Sequence, residues 1–174
     1  MSDPERELLA RCQAGDETAW AELYRRYAPV VQRFLLRMAG FDPELDDLVQ
    51  QVFVEVFRSM PRFRHESRFT TWLYRIASHV VGKRIRTEQR RRRRREAFAL
   101  HHKVAGAEGA DPSGAADAAR RLEALAGVLD TLSVDHRLVW TLREVEGLST
   151  DEVAEALRIR AGTVRSRLFH ARRK

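Results

Sequence analysis

Trp20, Tyr24, Tyr27, Val31, Phe34 and Met38 stand alternately four and three residues apart. A spacing near 3.6 returns side chains to one face only in an α-helix. The rhythm recurs along the chain. Leu45, Leu48, Val49, Val52, Phe53, Val56 and Phe57 form a second stripe, and Phe69, Trp72, Leu73, Ile76 and Val80 a third. Further on come Leu122, Leu125, Val128, Leu129 and Leu132, then Leu138, Val139, Leu142 and Val145. No segment needs the two-residue alternation of a strand, so the expected fold class is all-α.

Helix boundaries are marked by residues whose side chains or backbone suit an end. Asp3-Pro4 and Asp42-Pro43 each predict an N-cap followed by proline in the first turn. Gly15, Gly40 and Gly147 predict helix ends, and Pro61 stops the second stripe. Ser149 and Glu152 have the spacing of a capping box. The third helix is predicted to continue through the arginine block Arg90–Arg95. From Ala97 to Ala119 periodicity gives way to alanine, glycine and small polar residues, the composition of a linker. The expected architecture is two small helical domains, residues 1–96 and 120–174, joined by a flexible linker at 97–119.

Charge divides along the same chain. Residues 1–60 hold 7 basic and 11 acidic groups, a net of −4, and residues 61–105 hold 14 and 3, a net of +11. Residues 106–157 hold 4 and 11, a net of −7, and residues 158–174 hold 7 and none. Two separate basic surfaces point to two polyanion contacts. Solvated helix faces, or pairing of basic with acidic segments inside the fold, would give the same totals.

The last basic segment has the pattern of a helix-turn-helix. Ala154 is the small residue on the first helix, and Leu157, Ile159, Val164 and Leu168 are the apolar contacts around the turn. Arg158 stands where such turns usually carry glycine. Thr163, Arg165, Ser166, Arg167, Phe169, His170, Arg172, Arg173 and Lys174 project from the second helix. Arginine there can read guanine bidentately, while flanking cations hold phosphates. An ordinary helical hairpin shares the spacing. In the earlier basic segment Arg62, Arg64, Arg68, Arg75, Lys83, Arg84 and Arg86 alternate with Phe63, Phe69, Trp72 and Tyr74. Rings among cations suit unstacked bases, although part of this aromatic set belongs to the core stripe.

These segments together resemble the small, extracytoplasmic-function (ECF, group IV) sigma factors of the bacterial sigma-70 family. DDLVQQVFVEVFRSMPRF (46–63) resembles the family's polymerase-binding helix, SRFTTWLYRIASHV (67–80) its promoter-melting segment, and EGLSTDEVAEALRIRAGTVRSRLFHARRK (146–174) its second DNA-binding domain. The resemblance implies that residues 1–96 form a region 2 domain and 120–174 a region 4 helix-turn-helix domain. It assigns core RNA polymerase binding to Asp46, Asp47, Gln50, Gln51 and Glu55, although Asp46 and Asp47 also suit a helix N-terminus electrostatically. It assigns the minus-ten element to Arg64, Arg68, Phe69, Trp72, Arg75, His79 and Lys83. The minus-thirty-five element falls to Thr163, Arg165, Ser166, Arg167, Phe169, His170, Arg172 and Arg173. Many members carry asparagine where His79 stands, and arginine or lysine where His170 stands. The implied partners are core RNA polymerase, promoter DNA and an anti-sigma factor. The implied location is the bacterial cytoplasm, with the anti-sigma factor able to hold the chain at the inner membrane.

Other chemistry lacks its residues. Cys12 is the only cysteine and the six histidines form no metal-ligand spacing, so neither a metal nor another cofactor is expected. No phosphate-binding glycine loop or activated nucleophile can be nominated, which argues against an enzyme. No run nears the roughly 20 apolar residues that span a bilayer, and the N-terminus lacks signal-peptide organisation, so a membrane-embedded chain is not expected. The rival reading is a stand-alone helix-turn-helix regulator.

Overall fold

The computed structural model describes residues 3–40, 42–101 and 132–173. Its helices are α1 (Pro4–Gln13), α2 (Glu17–Ala39), α3 (Leu45–Ser59), α4 (Phe69–His101), α5 (Val134–Trp140), α6 (Thr150–Leu157) and α7 (Ala161–Arg172). A short 3₁₀ turn, Met60–Arg62, follows α3, and the last turn of α5 widens into π-helix over Thr141–Val145. No strand occurs among the described residues.

Local chemistry accounts for most boundaries. Asp3 accepts from the Glu5 amide at 3.1 Å, and Asp16 accepts from the amides of Thr18 and Ala19 at 2.8 and 3.2 Å. Both carboxylates satisfy amides that helix geometry leaves open. Gly40 ends α2 at φ 71°, ψ −153°, backbone that only glycine adopts readily. Gly147, at φ 73°, turns the chain out of α5's last turn. The Ser149–Glu152 capping box is fully formed: the Glu152 amide donates to Ser149 Oγ at 3.1 Å, and the Ser149 amide donates to Glu152 at 2.8 Å.

The start of α3 differs from expectation. Helix begins at Leu45 rather than Pro43, with Glu44 in the cap position. Asp42 instead accepts from the Glu44 amide at 2.9 Å and takes two bonds from Arg84, at 3.0 and 3.2 Å. Its carboxylate therefore forms a turn and ties α4 to it. The α4 helix does run through Arg90–Arg95 and reaches His101, four residues beyond Ala97 where linker composition begins. The remainder of the expected linker, the stripe from Leu122 to Leu129, and Lys174 lie outside the described residues.

Tyr27, Val31, Phe34 and Met38 of α2 pack with Leu48, Val49, Val52 and Val56 of α3 and with Leu73, Ala77 and Val81 of α4. Phe63 and Phe69 join Tyr27 and Trp72 in a cluster of edge-on and tilted rings. This buried apolar and aromatic area is the main force holding the helices together. The same core continues into the C-terminal helices through Leu138, Leu142, Val153 and Val164. α5 approaches α4 at Gly82, where an added Cβ would lie 3.9 Å from Leu138 and 3.2 Å from the Arg86 guanidinium. The two helical units are thus packed against each other.

Candidate nucleic-acid interface

Arg68, Trp72, Arg75, His79 and Lys83 follow one another at intervals of four, three, four and four, a single stripe running from the start of α4. Arg64, Arg68, His79 and Lys83 are exposed and Arg75 is half-buried. The two rings are not: Phe69 is 2% and Trp72 5% exposed. Phe69 is a core ring between Tyr27 and Phe63, which removes it from the candidate surface. Both rings belong to the apolar stripe as well as to the basic segment, and burial places them with the core.

The second basic surface is α7. Arg158 ends α6 in left-handed backbone, φ 53° and ψ 46°, at the position where glycine would avoid a steric cost of about 1 kcal/mol. Its amide bonds Glu155 and the Ile159 amide bonds Ala154, closing α6 before α7 begins. Arg165, Ser166, Phe169, His170, Arg172 and Arg173 are exposed on α7 and Thr163 is half-buried. The Phe169 ring is 55% exposed, with the Arg173 guanidinium 5.2 Å from its centre. Arg172 reaches back to Glu144 at 2.6 Å. Arg167 leaves this open face: it bonds Asp135 at 2.9 Å, and Asp135 also holds Arg86 of α4 at 2.7 Å.

The helices that carry the two surfaces therefore meet. Arg68 lies 3.7 Å from Glu152, and a cleft of about 440 Å³ runs between α4 and the helix-turn-helix. Arg75, Ser78 and His79 line one wall, and Asp135, Arg158 and Arg167 the other. Burial and then the charge of Arg158 lower the pKa of the Arg75 guanidinium. Backbone and hydroxyl donation from Ser149, followed by the charge of Arg68, hold the Glu152 carboxyl below its usual range. Beyond the cleft, Glu146 accepts from Tyr74 at 2.5 Å and from Arg37 at 2.6 Å, while Arg137 donates to the Arg37 carbonyl at 3.2 Å.

α3 exposes Asp46, Asp47, Gln50 and Gln51, while Glu55 is half-buried, 3.3 Å from Arg58, and lines the cleft. Next to them Val54 is 46% and Phe57 59% exposed, and Phe57 packs on Trp20 with ring centres 4.9 Å apart. Two exposed apolar side chains thus stand beside polar ones on this helix. Neither residue is among those the resemblance assigns. Phe57 could be found from its place at the edge of the stripe. Cys12 is buried, which pushes its thiol up to about 11. Among the described residues no group of three or more potential ligands could hold a metal ion, and no helix is long and apolar enough to cross a membrane.

Sigma-70 region 2 matches residues 23–91, and Sigma-70, region 4 matches residues 122–174. The chain is 35% identical over 170 residues to the ECF RNA polymerase sigma-E factor of Haemophilus influenzae, covering 95% of this chain and 89% of the relative. It is 32% identical over 178 residues to the RNA polymerase sigma-H factor of Pseudomonas aeruginosa, covering 98% and 91%. The fold is similar to that of CnrH, solved in complex with the cytosolic domain of CnrY, with a TM-score of 0.69 at 22% identity over 98% of this chain and 93% of that one. A second fold match is RpoE of Bartonella quintana, solved with the anti-sigma factor NepR, with a TM-score of 0.60 at 21% identity over 88% and 91%. Two matching regions in the expected order, and curated relatives matched across nearly their whole length, lead to one conclusion: the chain belongs to the ECF RNA polymerase sigma factors.

Proposed function

We propose that the chain is a dissociable promoter-specificity subunit of bacterial RNA polymerase, with residues 1–96 and 120–174 as its two working domains and 97–119 as their connection. Its exposed α3 face, from Asp46 to Glu55 with Val54 and Phe57, docks on the core enzyme. Arg64, Arg68, Arg75, His79 and Lys83 take the unstacked minus-ten strand. Trp72 lies at the cleft edge and becomes available when the cleft opens. Arg165, Ser166, Phe169 and His170 enter the major groove of the minus-thirty-five element, with Arg172 and Arg173 on phosphates.

The observation that carries this reading is one chain presenting three surfaces of different chemistry: an acidic and apolar helix, a basic stripe, and a helix-turn-helix with exposed arginines. The work is binding rather than catalysis. Free energy from holding the unstacked strand offsets the cost of opening the duplex. The chain acts in the cytoplasm, and an anti-sigma factor is the partner expected to withhold it from polymerase.

A gel shift with and without purified core enzyme tests the assignment. The promoter subunit gives weak duplex binding alone and a stable complex only with core. Tight binding by the isolated chain, unchanged by core, identifies a stand-alone regulator instead.

A further inference from the structure

Gln13, the last residue of α1, reaches across to the end of α3. Its side-chain amide donates to the Phe63 carbonyl at 2.9 Å and to the Met60 carbonyl at 3.2 Å. A carboxamide carries two N–H donors, so one group serves both carbonyls. Met60 opens the 3₁₀ turn after α3 and Phe63 closes it, with the Phe63 amide bonding the Met60 carbonyl at 3.0 Å. Both of these residues are buried. Gln13 thus fastens the point where the chain leaves α3 and enters the loop before α4.

Little else holds that loop. Among the described residues no backbone–backbone hydrogen bond reaches residues 64–67. His65 stands in left-handed backbone at φ 56°, and its ring rests on Phe63 with centres 4.6 Å apart. A non-glycine residue keeps that conformation only where its surroundings fix it. Exposed Arg64 lies between the carbonyl held by Gln13 and this strained residue.

We infer that Gln13 is a positioning residue for promoter opening: by holding the Met60 and Phe63 carbonyls it fixes the loop that presents Arg64 and His65 to the unstacked minus-ten strand. The inference rests on assigning Arg64 to that strand. It goes further in giving a part to α1, which carries none of the residues assigned to polymerase or promoter. A loop held in place before the strand arrives loses less conformational freedom on binding, and this is the advantage Gln13 supplies. Leu8, Leu9 and Cys12 keep α1 in the core without it.

The test uses the full chain with purified core RNA polymerase, on a template that gives a run-off product with the unmodified chain. The variants are Gln13→Leu, which removes both donors at similar size, Arg64→Ala, and the two combined. Permanganate reactivity of unpaired thymines, followed in time at several polymerase concentrations, separates initial binding from the opening step. Thermal unfolding checks the fold. Gln13→Leu should slow the opening step about tenfold, leave initial binding unchanged, and add little to the loss caused by Arg64→Ala. Initial binding and opening that weaken together, in step with a lowered melting temperature, show a merely structural role and overturn the inference. If leucine unfolds the chain, Gln13→Asn decides: it is one methylene shorter and cannot span both carbonyls, so slowed opening at unchanged initial binding is again expected. Opening slowed by Arg64→Ala but by neither Gln13 variant overturns the positioning role and leaves the promoter assignment intact. Opening indifferent to Arg64→Ala removes the assignment of Arg64, and the inference with it.

Discussion

Tyr74 of α4 donates its hydroxyl to Glu146, 72 residues further along the chain, at 2.5 Å. Glu146 also accepts from Arg37 of α2, so one carboxylate gathers three elements. It occupies the position immediately after the π-helical turn, where its amide bonds the Thr141 carbonyl five residues back. The wider turn and Gly147 thus place a charged acceptor at the contact between the two helical units.

Tyr74 should remain un-ionised beyond the ordinary phenol range. Burial first, then hydrogen bonding and charge from Glu146, raise its pKa. A raised folded pKa means that this stabilisation is complete below the ordinary phenol value near 10 and is lost as pH rises through the folded value. Tyr74→Phe should cost about 1.5 kcal/mol at neutral pH in urea unfolding. It should also remove one high-pH step from a titration followed by ultraviolet absorbance.

The capping box should make α6 sensitive to acid. The folded Glu152 pKa is depressed, so its contribution is present above the ordinary carboxylate range and is lost as pH falls through the folded value. Ser149→Ala should destabilise by about 1 kcal/mol at pH 7. The stability gap between unmodified protein and Glu152→Gln should close as the medium is acidified, measured by thermal unfolding.

Arg158→Gly should stabilise the protein by about 1 kcal/mol. Glycine relieves the left-handed backbone at φ 53°, and the change also removes a like charge from Arg75. Urea unfolding measures the gain. An equal or larger loss would mean that the Arg158 side chain supports the closed units.

What could be read from sequence follows the range of the interaction. Ser149 and Glu152 cap each other across three residues, and Gly147 acts through its own backbone, so both were legible. The α2 stripe was also legible, since Tyr27, Val31, Phe34 and Met38 share a buried face. Asp42 was misread as a helix cap because its competing partner, Arg84, comes from another helix. Arg167 has the exposed-helix pattern of Arg165, yet its partner Asp135 lies 32 residues away. Phe69 sits where the core stripe and the basic segment overlap, and only packing against Tyr27 decides its side. The pairing of acidic with basic segments, open from charge totals alone, occurs at named residues: Glu152 with Arg68, and Asp135 with Arg86 and Arg167.

The exposed cations of α7 should separate into two kinds. Arg165→Ala should cost about 1–3 kcal/mol on a preferred promoter and relax base preference at one position. Arg173→Ala should weaken all templates similarly and lower the salt dependence of binding. Filter binding of the polymerase complex to promoter variants at several salt concentrations distinguishes the two.

Run-off transcription with purified core RNA polymerase, on a library of genomic fragments from the source bacterium, tests the central claim most directly. Addition of the chain should yield discrete products from a small set of templates, and replacing Asp47, Gln50 and Phe57 together by alanine should abolish them. A product pattern identical with and without the chain would contradict its assignment as a promoter-specificity subunit.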